Sequence, residues 1–294
     1  MALKKENMGV RITAHSVLSI AAILAIAPFI LLLSASLTSG EANAAHGFTL
    51  IPTDISFAAY QYIFKAWETI SKAYLMTITV TVAGTILSIL VTMLMAFALS
   101  WDQTPFKGII TVLLIFSMLF NGGAIATYIV YSNIFHINNT IFAYILPGVF
   151  MNAFSVILFK NYFKNVISSS LMEAAMIDGA NMFTIFLKIY LPLSVPLIAT
   201  LGLMQAIGYW NDWNNGLYYI DDSKMYTVQM LLRDMQQSAD FLSSNPDVGS
   251  ISADIPSAAV QMAIAVIGIL PIVVAYPFFQ KYFIAGLGLG GVKE

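Results

Sequence analysis

The chain has 294 residues, of which 59% are hydrophobic and 10% are charged, and its formal net charge is −2. Soluble globular proteins carry about 25% charged residues, so this composition predicts a membrane protein. The sequence contains no cysteine, which excludes disulfides and thiolate metal sites. It also has no basic patch with interleaved aromatic residues, so nothing supports nucleic-acid binding.

Hydrophobic runs of the length needed to cross a membrane, roughly 20 residues, organise the chain. Each run is free of Asp, Glu, Lys and Arg, so we predict an all-α membrane protein with six transmembrane helices. Ion-coupled carriers usually need an ionisable side chain within the membrane, so we expect the energy source to lie outside these segments. The predicted spans are 17–37, 76–99, 109–131, 141–158, 191–210 and 258–279.

The distribution of charge predicts the orientation of the spans. With both termini in the cytoplasm, the internal segments carry nine Lys and Arg residues and the external segments carry four. Acidic residues show the opposite bias, with five inside and ten outside. An excess of cations on the cytoplasmic side is the usual arrangement. We therefore predict cytoplasmic ends at 1–16 and 285–294, and a six-helix transmembrane domain over 17–284.

The first span admits a second interpretation. Lysines before an apolar run, followed by Ala42-Asn43-Ala44, are typical of a secretory signal with a small-residue cleavage site. The run over 17–37 is longer than the roughly 7–15 apolar residues of a signal core, which favours an uncleaved span. A mature chain beginning near Ala45 would contradict the six-span topology.

Three connections between the spans are long enough to fold on their own. The segment 38–73 is external and contains an amphipathic stretch rich in aromatic residues at 57–63. The segment 211–257 is also external, and it is polar and acidic. The segment 165–190 is cytoplasmic and holds the most informative local pattern of the chain.

Local signals in this cytoplasmic segment predict a helix, a turn and a second helix. Ser170 and Glu173 fit the S-x-x-E capping box, so a helix should begin one residue after the serine. Gly179 should end it, because glycine accepts the left-handed conformation that closes a helix. A second helix over 182–189 then runs to Pro192, which is tolerated in the first turn of the fifth span.

This helical elbow could be structural or could dock a partner, and the residue chemistry alone leaves both interpretations open. Its spacing of Glu-Ala-Ala, three residues, Gly, nine residues and Ile-x-Leu-Pro resembles the signature of permease subunits of bacterial ATP-binding-cassette (ABC) importers at every position. In that family the elbow is the coupling helix, which lies in a groove of the ATPase subunit. The residues that the resemblance assigns to ATPase coupling are Glu173, Ala174, Ala175, Asp178, Gly179 and Pro192.

The resemblance covers nearly the whole chain. An Asn-Gly-Gly turn at 121–123, Trp-Asn-Asp-Trp at 210–213 and the stretch 279–286 look like those of carbohydrate-importer permeases. The pattern is similar to the second permease of the maltose-type group. Within that group it resembles the branch that takes up complex or uronic-acid oligosaccharides, such as the alginate importer and lipoprotein-linked relatives. This implies the type I ABC importer permease fold, the bacterial cytoplasmic membrane, and translocation of oligosaccharides or polysaccharide fragments.

The resemblance also implies the partners. A second homologous permease completes the pathway, two ABC ATPase subunits hydrolyse ATP with Mg²⁺, and an extracellular solute-binding (lipo)protein delivers the sugar. The chain has no G-x-x-x-x-G-K-[ST] motif, so we expect no cofactor in this chain and no enzymatic activity of its own. A non-sugar solute, or an ATPase-independent carrier or channel, are the alternatives.

Polar residues within or beside the spans are candidates for the substrate pathway. Asn152 and Gln205 lie in apolar runs, where an unpaired amide is costly, so they either bind sugar hydroxyls or join helices by hydrogen bonds. Trp210 and Trp213 either stack on sugar rings or mark the membrane interface. The full set of candidates is Asn152, Gln205, Trp210, Asn211, Asp212 and Trp213.

Two further patterns carry no site. His15, His46 and His136 lack the spacing of metal ligands, so no metal site is predicted. A G-x-G-x-x-G sequence at 286–291 follows a predicted membrane helix instead of a strand, so it does not predict a dinucleotide site.

Overall fold

A computed structural model describes residues 8–150, 152–244 and 258–289. Over these residues the chain is helical, and its β-type pairing is limited to an isolated bridge between Thr38 and Ile55. Parts of the predicted N-terminal, external and C-terminal segments, at 1–7, 245–257 and 290–294, lie outside the described residues.

The described helices are named here in chain order. They are α1 (Met8–Ser36), α2 (Gly40–His46), α3 (Ala58–Lys65), α4 (Trp67–Ser100), α5 (Lys107–Leu119), α6 (Gly123–Ile129), α7 (Phe142–Phe150), α8 (Ala153–Asn165), α9 (Ser169–Ile177), α10 (Met182–Ile185), α11 (Leu191–Leu193), α12 (Val195–Trp210), α13 (Asn214–Tyr219), α14 (Val228–Ser244) and α15 (Ala258–Leu289). Two π-helical segments, Val130–Ile134 and Phe186–Tyr190, follow α6 and α10.

The chain divides into two compact units. One comprises Met1–Ile70 with Leu232–Pro271, and the other comprises Ser71–Leu231 with Ile272–Glu294. The elbow and all the substrate-pathway candidates belong to the second unit.

In the first unit, polar bonds fold the chain back at the end of α1. The Asn43 amide nitrogen in α2 donates to the Ala35 carbonyl at 2.9 Å. The Ser36 hydroxyl lies 3.0 Å from the Tyr60 hydroxyl of α3. The Asn43 bond satisfies one of the carbonyl groups that a helix leaves unpaired at its C-terminus. The Ala-Asn-Ala segment considered as a cleavage site therefore lies in a folded helix.

Three described helices are long and apolar enough to cross a membrane, namely Gly9–Ser36, Trp67–Ser100 and Ala258–Phe278. Two bent pairs raise this number to five if each pair is one span. The first pair, Phe142–Val149 with Ala153–Asn165, bends by 49°, and the second, Met182–Leu193 with Val195–Trp210, bends by 80°. Helix α5 is apolar but has 13 residues. The prediction of six continuous spans is therefore not confirmed, because the third, fourth and fifth are interrupted.

Each interruption has a local cause. In the third predicted span, Gly123 has a φ of +82°, which side-chain-bearing residues rarely adopt. In the fourth, Asn152 caps a new helix by accepting a hydrogen bond from the Ser155 backbone N–H at 3.0 Å. In the fifth, Pro196 cannot donate a hydrogen bond to the carbonyl of Pro192, four residues earlier. The mean hydropathy of a run is nearly the same with or without such a break, so it does not predict the interruption.

Candidate functional site

The elbow begins two residues earlier than the sequence predicts. Ser168, with an extended backbone (φ −64°, ψ 133°), is the N-cap of α9, and its hydroxyl accepts a hydrogen bond from the Ser170 N–H at 3.3 Å. Ser170 therefore lies inside the first turn, and the predicted Ser170–Glu173 capping box is wrong. The run of three serines offers several possible caps, and the first takes the role. Glu173 is exposed, as is Ala174.

The end of α9 agrees with the prediction and is set by backbone geometry. Gly179 has a φ of +81°. Its N–H donates to the Met176 carbonyl at 3.0 Å, and the Ala180 N–H donates to the Ala175 carbonyl at 2.9 Å. These two bonds form a Schellman motif, which closes a helix around a left-handed residue. Asp178 is the exposed C-cap just before the glycine.

The second arm of the elbow reaches α12 through a sharp break at Ser194. Asn181 caps this arm by accepting from the Thr184 N–H at 2.8 Å. Pro192 lies in the short helix α11 before the break and not in the first turn of a continuous span, which corrects the predicted joint. The Ser194 hydroxyl donates to the Tyr190 carbonyl at 2.7 Å. The break thus lies between Pro192 and Pro196, and the buried Ser194 side chain stabilises it through this hydrogen bond.

The elbow packs on an aromatic core and presents apolar side chains outward. The rings of Phe163 and Tyr190 meet edge to face with centroids 5.2 Å apart. Met172 is buried, and its sulfur lies 3.5 Å from the Tyr190 hydroxyl. On the other side Ile177 is 86% exposed and Phe183 is 65% exposed. Both exposed side chains belong to the elbow, Ile177 at the end of α9 and Phe183 in α10.

A cavity of about 430 Å³ lies at the other end of α12. Four of the six predicted pathway residues line it, namely Gln205, Asn211, Asp212 and Trp213. The remaining lining residues are Gly148, Gly208, Tyr209, Asn214 and Asn215.

Asn152 does not line the cavity but supports it. Its amide nitrogen donates to the side-chain oxygen of Gln205 at 2.9 Å, while its own oxygen caps α8. The Gln205 nitrogen in turn lies 3.4 Å from the Gly148 carbonyl. The two amides therefore join α8 to α12, which is the helix-joining role considered for them. Gln205 also faces the cavity, so it remains a candidate for contact with substrate.

Tyr209 lines the cavity, and no pattern in the sequence predicted its role. Its ring is buried, and its hydroxyl donates to the Ile145 carbonyl at 3.0 Å. A Cβ atom added at Gly84 or at Gly148 would lie 2.7 Å from atoms of this tyrosine. Both glycines are therefore required for close approach of α4 and α7 to the ring. Only the two glycines within apolar runs could have hinted at such a contact.

Asp212 is held by the residue three positions later. Its two carboxylate oxygens accept from the backbone N–H of Asn215 at 3.0 Å and from the Asn215 amide nitrogen at 2.6 Å. Burial nevertheless raises the pKa of the Asp212 carboxyl above its usual range, with the Asn215 bonds acting in the opposite direction. Asp212 is thus a half-buried acidic group in the cavity wall, a name used here for the residues that line the cavity.

The two tryptophans have different surroundings. Trp210 is 7% exposed and does not line the cavity, whereas Trp213 is 39% exposed and does. The adjacent Asn211 donates to the Ile207 carbonyl at 3.0 Å and accepts from the Gln229 amide at 3.1 Å. Of the predicted aromatic pair, Trp213 alone is in a position to meet a molecule in the cavity. Among the described residues, no group of three or more His, Cys, Asp and Glu could hold a metal ion.

Residues 56–288 match the family described as "Binding-protein-dependent transport system inner membrane component". The chain is 39% identical over 273 residues to the polygalacturonan/rhamnogalacturonan transport system permease protein YtcP of Bacillus subtilis (strain 168), covering 92% of this chain and 94% of that protein. It is 36% identical over 268 residues to protein LplC of the same organism, covering 91% and 89%.

A solved structure is similar to this chain over nearly its full length. A chain from the crystal structure of a bacterial ABC transporter involved in the import of the acidic polysaccharide alginate superposes with a TM-score of 0.79 and 30% identity, covering 96% of this chain and 99% of that one. The predicted resemblance to ABC importer permeases, and their type I fold, are confirmed. The protein is a transport component and not an enzyme. The chain belongs to the family of inner membrane components of binding-protein-dependent transport systems.

Proposed function

We propose that this chain is the permease subunit of an importer that moves oligosaccharides or polysaccharide fragments across a bacterial cytoplasmic membrane, driven by ATP hydrolysis on separate subunits. Support comes from relatives over nearly the full length, one of them named for polygalacturonan and rhamnogalacturonan, another for melibiose, raffinose and stachyose. The similar solved structure belongs to an importer of alginate. Family membership does not favour the alternative of an ATPase-independent carrier or channel.

The observation that carries the mechanism is that one helix connects the two candidate sites. Helix α12 begins next to the break at Ser194, where the elbow ends, and its C-terminal part carries Gln205 and Tyr209, which line the cavity. Movement of the elbow would therefore be transmitted directly to Gln205 and Tyr209. A permease has to make such a connection if ATP hydrolysis is to change access to its substrate.

The elbow is proposed to dock in a groove of the ATPase subunit. Helix α9 offers Glu173, Ala174 and Asp178 on its exposed side, beside the apolar Ile177. The small side chain of Ala174 permits close approach of another chain, and Gly179 keeps the turn compact. Pro192 would stiffen the arm that leads to the break.

The remaining parts of the proposal concern topology and partners. Six spans with both termini in the cytoplasm fit the charge bias if each bent pair is one span and α5 with α6 forms another. The apolar side chains of α1 are exposed over most of its length, which fits contact with lipid and with a second permease. ATP and Mg²⁺ would bind to two ATPase subunits, and a solute-binding lipoprotein would deliver the sugar from outside.

The test is purification of the tagged chain from its native membranes in a mild detergent, with partners identified by mass spectrometry. We expect a second permease and an ATPase to be recovered with the chain. The complex, reconstituted in liposomes with its binding protein, should take up oligosaccharide only when ATP is supplied. A chain that is recovered alone and transports sugar without ATP would contradict the proposal.

A further inference from the structure

The cavity beside α12 presents amide groups and one aromatic ring. Asn214 is exposed at its edge, and its side chain makes no hydrogen bond with the described residues. Gln205 also lines the cavity, where its amide nitrogen lies 3.4 Å from the Gly148 carbonyl. Amides can donate to and accept from a hydroxyl group at the same time. Together with Trp213, they offer the mixture of polar groups and flat apolar surface that suits a hydroxyl-rich ring.

The same wall carries an acidic side chain. Asp212 lines the cavity, and its two oxygens accept hydrogen bonds from Asn215 that oppose the rise in its pKa caused by burial. The described lining residues include no Lys, Arg or His that could offset this charge. Protein sites for carboxylates normally provide such a cation, most often arginine, because it pairs with both oxygens. A second carboxylate brought into this cavity would instead meet a like charge in partly dehydrated surroundings.

We propose that this cavity accepts an uncharged sugar residue and that the Asp212 carboxylate disfavours a uronic acid there. This inference rests on the proposed function, which it deepens by naming the chemical class of ligand for this wall. Asn214 and Gln205 bind the hydroxyl groups, and Trp213 packs against the ring.

The similar solved transporter is involved in the import of alginate, an acidic polysaccharide. If this importer carries such a chain, the sugar carboxylates have to face a surface outside this cavity. A cationic surface of the second permease would meet that need. This wall would then contact uncharged residues or the hydroxyl-bearing side of the chain.

The test compares two trisaccharides of different charge, raffinose and trigalacturonate. Their binding to the purified complex of this chain with its co-purifying subunits, without binding protein, is measured by saturation-transfer NMR titration. We expect raffinose to bind at least about tenfold more tightly than trigalacturonate. Asp212→Asn should narrow that ratio to about twofold, because the asparagine oxygen still accepts the Asn215 N–H while the charge is gone.

Three further measurements test the roles of the Asp212 charge and of the Asn214 amide. Asp221→Asn removes the same charge from an exposed side chain that does not line the cavity, so its ratio should equal that of the wild type. Raising the salt concentration should also narrow the wild-type ratio, because salt screens repulsion, and it should have less effect on Asp212→Asn. Asn214→Ala should weaken raffinose binding.

Three outcomes would overturn the inference. They are tighter binding of trigalacturonate by the wild type, a ratio that Asp212→Asn leaves unchanged, and failure of both sugars to bind. The proposed function is judged separately by ATP-dependent uptake in liposomes. Sugar uptake together with any of these three outcomes would remove the inference and leave the importer assignment in place.

Discussion

The elbow and the cavity wall are joined by α12, yet different forces define their shapes. The elbow is shaped by neighbours in the sequence, with Ser168 and Asn181 as caps and Gly179 as the turn. The wall is shaped by residues far apart in the sequence, such as Tyr209, whose ring fills the space above Gly148. The elbow is therefore a local structure with an exposed surface, whereas the wall exists only when several helices have packed.

The two regions should therefore respond differently to substitution. A substitution in the exposed part of the elbow should leave folding largely intact and alter the response to ATP hydrolysis. A substitution in the wall should lower stability first, because the candidate binding groups also hold helices together. Four experiments test this distinction.

The largest expected effect is on the stability of the wall. In Gly148→Ala the new Cβ would lie 2.7 Å from the Tyr209 hydroxyl and 2.8 Å from the ring, which is closer than real Cβ contacts allow. Overpacking of this kind costs about 1–3 kcal/mol, so the thermal midpoint of the purified protein should fall clearly. Gly202→Ala is the matched control, because no atom lies within 4 Å of its added Cβ. Equal midpoints for the two variants would contradict the packing described for Tyr209.

The next effect concerns the elbow and should appear in transport. Gly179→Leu forces a side chain into a left-handed conformation, which costs roughly 1–2 kcal/mol and shifts a local equilibrium about 5–30-fold. Membrane insertion should persist, while sugar uptake per ATP hydrolysed falls by a comparable factor. Gly179→Asn is the control, because asparagine tolerates this conformation better. Normal transport by the leucine variant would remove the coupling role from the elbow.

The third effect divides the two roles of Asn152. Asn152→Ala should lower stability by about 1 kcal/mol for the lost helix cap, with a further loss for the unpaired Gln205. Asn152→Ser can keep the cap while losing the amide bond, so it isolates the contribution of Gln205. Combined with Gln205→Ala, these variants form a double-mutant cycle. We expect a coupling energy of about 0.6 kcal/mol, the average for such bonds in membranes. Additive losses would mean that the two amides do not join the helices.

The smallest effect is a dependence of stability on pH. Burial raises the pKa of Asp212, so the folded protein holds the proton more tightly than the unfolded chain. The resulting stability is fully present below the ordinary aspartate pKa, about 3.9, and is lost as pH rises through the raised value. As the pH rises from about 3.9 through the raised pKa, the thermal stability of the wild type should therefore fall relative to that of Asp212→Asn. Parallel pH profiles of the two proteins would show that the carboxyl is not effectively buried.

The parts of the molecule that depend on short-range signals could be predicted from the sequence. Gly179 ends α9, and Pro192, towards which the predicted second arm runs, lies two residues before the break at Ser194. The capping residue was misassigned because Ser168 and Ser170 have the same chemistry, and only backbone geometry distinguishes them. The apolar runs also marked where the long helices lie, since burial in lipid requires continuous apolarity.

Long-range features could not be predicted in the same way. The close fit of Tyr209 against Gly84 and Gly148 depends on three helices meeting, and no local pattern encodes that meeting. The breaks at Asn152 and Ser194 were hidden by apolar neighbours, because the average over about 20 residues outweighs one cap or one proline. Four residues of the cavity lining were nevertheless among the predicted pathway residues, because few polar residues lie within or beside a span.

Because the chain bends at Ser194, a rotation about this point would move the far end of α12 further than the end next to the bend. Its 16 residues make a rod about 24 Å long, with the short elbow arm on the other side of the break. A turn of about 10° at the break would carry the far end of this rod by about 4 Å, which exceeds the length of a hydrogen bond. If the elbow and α12 turn as one body about this break, a small rotation of the elbow would displace the far end of α12 far enough to exchange the hydrogen-bond partners of the amides that line the cavity.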